Sequence, residues 1–204
     1  MKKIMFSDDY CLTKAVLDGT KTMTRRSFAR FEPDARMFDE ICNVEGGFDD
    51  KGRWIFTAYN ENGDIIGDMI PPYQVGEVVA IAQSYKDILP NADFEMVGDR
   101  FITESAGWTN KMFVRANLMK RHIMFTDVKA ERLQDISDED ILKEGVWQRF
   151  KTSLFYVSKN VGYAPYVAFP TAREAFWFLI DKVSGKGTWE SNPLVVAYSF
   201  ELVD

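Results

Sequence analysis

The sequence predicts an α+β fold, and three observations carry that prediction. Strand-like runs occur in the first half, in the middle and at the C-terminal end. Helical stretches with capping signals lie between them, and neither internal repeats nor a Pro- or Ser-rich linker divides the chain. With 204 residues, 46% of them hydrophobic and 27% charged, the chain fits one globular domain with a sizeable core.

Taken in order, residues 9–18, DYCLTKAVLD, place Leu12, Ala15 and Val16 on one helical face, with Gly19 where a left-handed C-terminal cap is expected. Residues 53–70, RWIFTAYNENGDIIGDMI, predict a hairpin with its turn at Asn62-Gly63, closed by Pro71-Pro72. GEVVAIAQS from Gly76 and HIMFTDVKAERLQ from His122 predict two strands of one sheet, and His122 is expected to pack in or beside its strand. Residues 86–118 between them lack periodicity and predict a long connection with short regular pieces. SDEDILKEG opens with Ser137 as N-cap and Asp140 three residues later, and closes at Gly145. In PTAREAFWFLIDKVSGKG, Thr171 and Glu174 predict a capping box. Ala172, Ala175, Phe176, Leu179, Ile180 and Val183 recur there at helical spacing. NPLVVAYSFELV predicts a final strand inside the sheet.

Composition excludes several functions. A net charge of −6 argues against tight, sequence-blind binding to long duplexes, which needs many cationic contacts, while leaving room for a local basic patch. Cys11 and Cys42 are the only cysteines and His122 the only imidazole, so no common zinc pattern can be assembled, and neither metal nor cofactor is expected. MKKIMFSDDY turns acidic before an apolar run of signal length, and no stretch approaches the roughly 18 apolar residues of a membrane span. A reduced, cytoplasmic protein with no membrane partner is expected.

Chemistry concentrates in LDGTKTMTRR, residues 17–26. Three readings are open. The segment TKTMTRRS is an exposed, solvated run; or Lys21, Arg25, Arg26 and Arg30 grip a phosphate; or Lys21, with a pKa lowered by burial and neighbouring cations, takes the proton of Thr24. A P-loop is excluded, because the glycine pattern is missing and the segment follows a helix C-terminus. Glu144, at the negative end of its helix, is either a solvent-facing acid or a carboxyl with raised pKa that donates a proton. Seven aromatics between Trp147 and Phe169 suit a hairpin packed on the core or a base-stacking platform, and SGKGTWESNP suits a tight turn better than a phosphate cradle.

DGTKTMTRR, VGEVVAIAQSY, TDVKAERLQDISDEDILKEGV and PTAREAFWFLIDKVSGKGTWESNPLVVAYSFEL together, in that order, resemble the ASCH-domain proteins of bacteria and phages. The resemblance implies a PUA-like fold, a small curved β-barrel with flanking helices, over residues 1–204 as one domain, with insertions near 28–70, 86–118 and 146–169. It also implies amide hydrolysis. A compact branch of that superfamily deacetylates N4-acetylcytidine through a lysine base, a threonine nucleophile and a glutamate acid. By position these fall on Lys21, Thr24 and Glu144, with Arg25 or Arg26 as substrate-binding groups that steady an oxyanion. The implied partner is a small nucleoside or single-stranded RNA; the alternative function is a noncatalytic RNA- or nucleotide-binding PUA-like module. The chain departs from the compact enzymes in length, in Arg25, which stands where they carry an apolar residue, and in the aromatic insertion after Glu144. It departs from larger phage-type members at Ala82-Gln83-Ser84-Tyr85, where they carry an R-E-T-W-like strand end.

Overall fold

The computed structural model describes every residue except 29, 32–39, 93, 94, 150, 151 and 161, and only the backbone of residues 30 and 31. In chain order it contains β1 (Lys3–Ile4), α1 (Leu12–Leu17), β2 (Met23–Arg26), β3 (Arg30–Phe31), β4 (Asn43–Phe48), β5 (Trp54–Tyr59), β6 (Ile65–Ile70) and β7 (Val78–Ile81). There follow α2 (Tyr85–Ile88), β8 (Met96–Val97), β9 (Arg100–Phe101), β10 (His122–Arg132), α3 (Asp138–Lys143), β11 (Trp147–Gln148), β12 (Phe155–Ser158) and β13 (Tyr166–Phe169). The chain ends with α4 (Ala172–Ser184), α5 (Thr188–Ser191) and β14 (Leu194–Leu202).

The fold is mixed α and β. Its main sheet has the order β1-β7-β10-β14-β2, in which β1 pairs parallel with β7 and the other pairs run antiparallel. β10 and β14 form the long central pair, with a register shift between Phe125 and Asp127 that bends the ladder. The apolar runs that predicted these strands supply its core: Val79, Ile81, Ile123, Phe125, Val196 and Tyr198 are all buried. A barrel is expected from the resemblance, but the described strands form no closed barrel: β1 and β2 end the main sheet as separate edges.

A second sheet, β3-β6-β5-β4, contains the predicted hairpin. Its turn is closed by Asn60, whose side-chain oxygen accepts from Asn62 N and Asp64 N, and Gly63 takes φ +81°. β4 escapes the sequence pattern because four of the six residues of NVEGGF are glycine or polar, and it stays largely exposed as an edge strand. Gly46 there is set by packing, since an added Cβ would lie 2.5 Å from the Trp54 ring. Phe56, Ala58 and Met69 join this sheet to the same buried cluster as Ile4 and Phe125.

The connection over 86–118 consists of a short hairpin, β8–β9, and several 3₁₀ turns around a small cluster that includes Tyr85, Ile102 and Val114. It opens with a capping box in α2, where Ser84 and Asp87 bond each other's backbone N–H. The aromatic insertion is an antiparallel sheet, β11-β12-β13, in which Trp147 stacks on Tyr156 with ring centroids 4.6 Å apart. Phe150 lies outside the described residues.

The two long-range helices behave as their caps predict, with one difference each. Thr171 accepts from Glu174 N, but no return bond from the Glu174 side chain is found among the described residues, so α4 has half of the expected box. Ser137 accepts from Asp140 N, and the Asp140 carboxylate turns instead toward Arg25, Lys129 and Lys143. SGKGTWESNP is a turn into α5, and Gly187 N and Trp189 N donate to Asp181, so the peptide groups that suggested a cradle are held by the protein's own carboxylate. His122 opens β10, its Nδ1 2.5 Å from Asp204 Oδ2. Among the described residues no helix is long and apolar enough to cross a membrane.

Candidate active site

The site is assembled where α1, β2 and the end of α3 meet. Gly19, at φ +71°, ends α1, and Thr20 N and Lys21 N both turn back to Ala15 O at 2.9 and 3.0 Å. Thr22 then joins two elements: its N–H donates to Lys143 O, and its carbonyl accepts from Phe200 N. These two bonds hold the segment before β2 between the C-terminus of α3 and the end of β14. Because Lys21 precedes the strand, the strand rule that would send it to the face opposite Thr24 does not apply.

Glu144 is the C-cap of α3, and its side chain points inward. Gly145 takes φ +105°, where a side chain is strained, and an added Cβ would lie 2.8 Å from Leu12 Cδ2, which would have to shift. Gly145→Ala is therefore expected to lower stability by about 1–3 kcal/mol through overpacking and an unfavourable φ. Urea unfolding measures it, and an unchanged midpoint would show that the turn tolerates a Cβ.

Lys21 is 2% exposed, Thr24 4%, Glu144 5% and Arg25 7%, so the solvated-run reading of this segment is overturned, as is the solvent-facing reading of Glu144. Lys21 Nζ donates to Glu144 Oε2 at 2.6 Å, to Glu144 O at 2.7 Å and to Met23 O at 2.7 Å. Three acceptors match the three protons of an ammonium. Burial pushes the Lys21 amine below the ordinary lysine value, Glu144 pulls it back up, and Arg26 and Arg25 push it further down. The expectation of a raised Glu144 is reversed. Burial alone pushes its carboxyl up, but the charges and hydrogen bonds of Lys21 and Arg25 outweigh burial and hold it below the usual glutamate range.

Arg25 is held by three carboxylates. Nε donates to Glu131 Oε1 at 2.7 Å, Nη1 to Glu144 Oε1 at 2.9 Å, and Nη2 lies 2.6 Å from Glu131 Oε1 and 3.4 Å from Asp140 Oδ2. The expectation that Arg25 binds substrate or steadies an oxyanion meets a guanidinium already engaged. Arg26 differs: Nη2 donates to Met5 O at 2.5 Å, the guanidinium lies 5.4 Å from the Phe6 ring centre, and its buried Nε has no hydrogen-bond partner among the described residues. The side chain of Arg30 lies outside the described residues.

A cleft of about 300 Å³ collects the candidates, lined by Lys21, Thr24, Arg25, Arg26 and Glu144, with Phe6 and Lys111 from one side and the apolar face of α4 from the other. That volume lies at the lower end of small-molecule sites. A neighbouring cavity of about 400 Å³ shares Arg25, Arg26, Ile180 and Ser184 with it, so the groove continues past the arginines. Alternation in β2 puts Thr24 and Arg26 on one face, and among the described residues the Thr24 hydroxyl makes no hydrogen bond.

Glu131 was not singled out from the sequence and Asp140 only as a helix-capping residue, yet both left a signal of a place in the site. Lys129 and Glu131 share a face of a strand at period two, and Asp140 and Glu144 share a face of a helix at i, i+4. Lys111 and Phe6 left none, because each reaches the cleft from a distant loop. Among the described residues no group of three or more His, Cys, Asp or Glu side chains could hold a metal ion. Comparison of the chain with protein-family models, with curated proteins and with solved structures finds no match. Fold and site thus define a class by their own features: a mixed α/β protein whose cleft has an alcohol beside a buried Lys–Glu–Arg cluster.

Proposed function

We propose that this protein is an amidohydrolase of the ASCH type, on an open variant of the PUA-like sheet, that removes the acyl group of an N-acylated pyrimidine nucleoside such as N4-acetylcytidine. The observation that carries this reading is that Lys21, Thr24 and Glu144, separated by up to 123 positions, line one cleft. Thr24 Oγ attacks the acyl carbon as its proton passes to Lys21. The C–N bond breaks as Glu144 gives a proton to the departing amine, and water then releases the acid from the threonine ester. Arg26, which lines the cleft and whose Nε has no partner among the described residues, is the donor offered to the developing oxyanion.

The resting ion pair supplies both catalytic forms. Passing one proton along the 2.6 Å Lys21–Glu144 contact makes a neutral amine and a neutral acid together, and burial favours that neutral pair while Arg25 opposes it. To accept the Thr24 proton, Nζ must release one of its three acceptors.

That last requirement favours a second reading, a noncatalytic module that binds RNA or a nucleotide in the same groove. One experiment separates the two: hydrolysis of N4-acetylcytidine is followed beside a salt titration of binding to a single-stranded RNA. Turnover with negligible RNA affinity is expected, and Lys21→Met is expected to reduce kcat/KM by about 10²–10⁴-fold. Salt-sensitive RNA binding without turnover would replace the enzyme by the binding module.

A further inference from the structure

We propose that Arg25 is a positioning residue that sets the charge of the Lys21–Glu144 pair, and that Glu131 and Asp140 set the strength with which it does so. The proposal rests on the deacylase reading of the same site. Its basis is geometric. The two oxygens of Glu144 are divided, Oε2 to Lys21 at 2.6 Å and Oε1 to Arg25 at 2.9 Å, so the arginine fixes the rotation of the carboxylate about its last bond. Arg25 is in turn fixed from two elements: Glu131 on β10 and Asp140 on α3, and Lys129 bridges those two acids at 3.0 and 3.2 Å.

Every layer of this cluster alternates in sign: Lys21, then Glu144, then Arg25, then the two outer acids, then Lys129. In a region that excludes water, a change at one layer is felt at the next but one. Arg25 lowers the proton affinity of Lys21, and an acid bound to Arg25 offsets part of that effect. Among the described residues, the other charged groups that line the cleft beside the pair are Arg26 on β2 and Lys111, while Lys143 on α3 bonds the outer acid Asp140. If Arg25 only held substrate, Glu131→Gln, in which Arg25 remains, would weaken binding and leave the low-pH limb of kcat/KM where it is.

The signs are opposite for two variants, and that makes the test specific. Arg25→Met removes a cation and is expected to move the low-pH limb of kcat/KM upward by roughly one to three units. Glu131→Gln leaves Arg25 in place with less compensation and is expected to move the same limb downward. The ¹³Cε signal of Lys21, assigned by its loss in Lys21→Met, is titrated in parallel and is expected to shift in the same two directions. If Arg25→Met does not fold, a downward shift in Glu131→Gln carries the proposal, and an upward shift or none overturns it. If both variants fold, shifts of one sign, or none, overturn it. If the wild-type protein does not hydrolyse the nucleoside, the deacylase reading fails by itself, and the opposed ¹³Cε titrations still decide the clamp.

Discussion

Glu144→Ala is expected to lower the free energy of unfolding by about 3–5 kcal/mol, the largest stability effect of any substitution in the site. The reason is what it leaves behind. Lys21, 2% exposed, loses its one charged partner among the described residues, and Arg25 loses one of three carboxylates. An unpaired buried ammonium either deprotonates or draws water into the cleft, and both destabilise the end of α3. Lys21→Met with Glu144→Leu, which removes both charges, is expected to recover part of that loss. Equal losses in the single and double variants would show that packing, not charge, dominates.

Acid should act on the same group. Because the Glu144 carboxyl is held below its ordinary value of 4.5, its contribution to stability is present above about that pH and lost as pH falls through the lower folded value. Glu144→Gln removes this component, so its stability should fall less on acidification than that of the wild-type protein. Chemical unfolding at a series of acidic pH values measures the difference.

Thr24→Val is expected to abolish deacylation, a fall of at least about 10³-fold, while changing stability within about 1 kcal/mol. Valine matches threonine in shape and suits a strand, and the hydroxyl it replaces makes no hydrogen bond among the described residues. Backbone pairing with Tyr198 is unaffected by the exchange. Activity and stability therefore separate at this position, whereas at Glu144 they fall together.

Of the main sheet, β7, β10 and β14 were legible, and with them α1, α3 and α4, because their patterns are local; the short β1 and β2 were not. The apolar runs of β7, β10 and β14, the Ser137 and Thr171 caps and the Gly19 and Gly145 stops each need only a few neighbouring residues to be recognised. β4 was not legible, because an exposed edge strand with two adjacent glycines lacks alternation. The closure of the sheet was misjudged for a related reason. Whether two edges meet depends on twist and length summed over the whole sheet, which no short stretch encodes.

At the site, residue types were legible and their charges were not. The family pattern places Lys21, Thr24 and Glu144 together, but the raised carboxyl expected from the position of Glu144 at a helix end is reversed by the charges of Lys21 and then Arg25. Arg25 itself looked like a ligand-binding residue because a run of lysine and arginines with bidentate donors suits a phosphate or an oxyanion. Only the fold reveals that Glu131 and Asp140, more than a hundred positions away, already occupy it.

The central claim is that the Thr24 alcohol becomes acylated. It is tested most directly by rapid acid quench of the protein mixed with N4-acetylcytidine, followed by peptide mass spectrometry. An acetyl increment on the peptide containing Thr24, absent in Thr24→Val, is predicted. Hydrolysis by Thr24→Val at the wild-type rate, with no acetylated peptide in either protein, would contradict it.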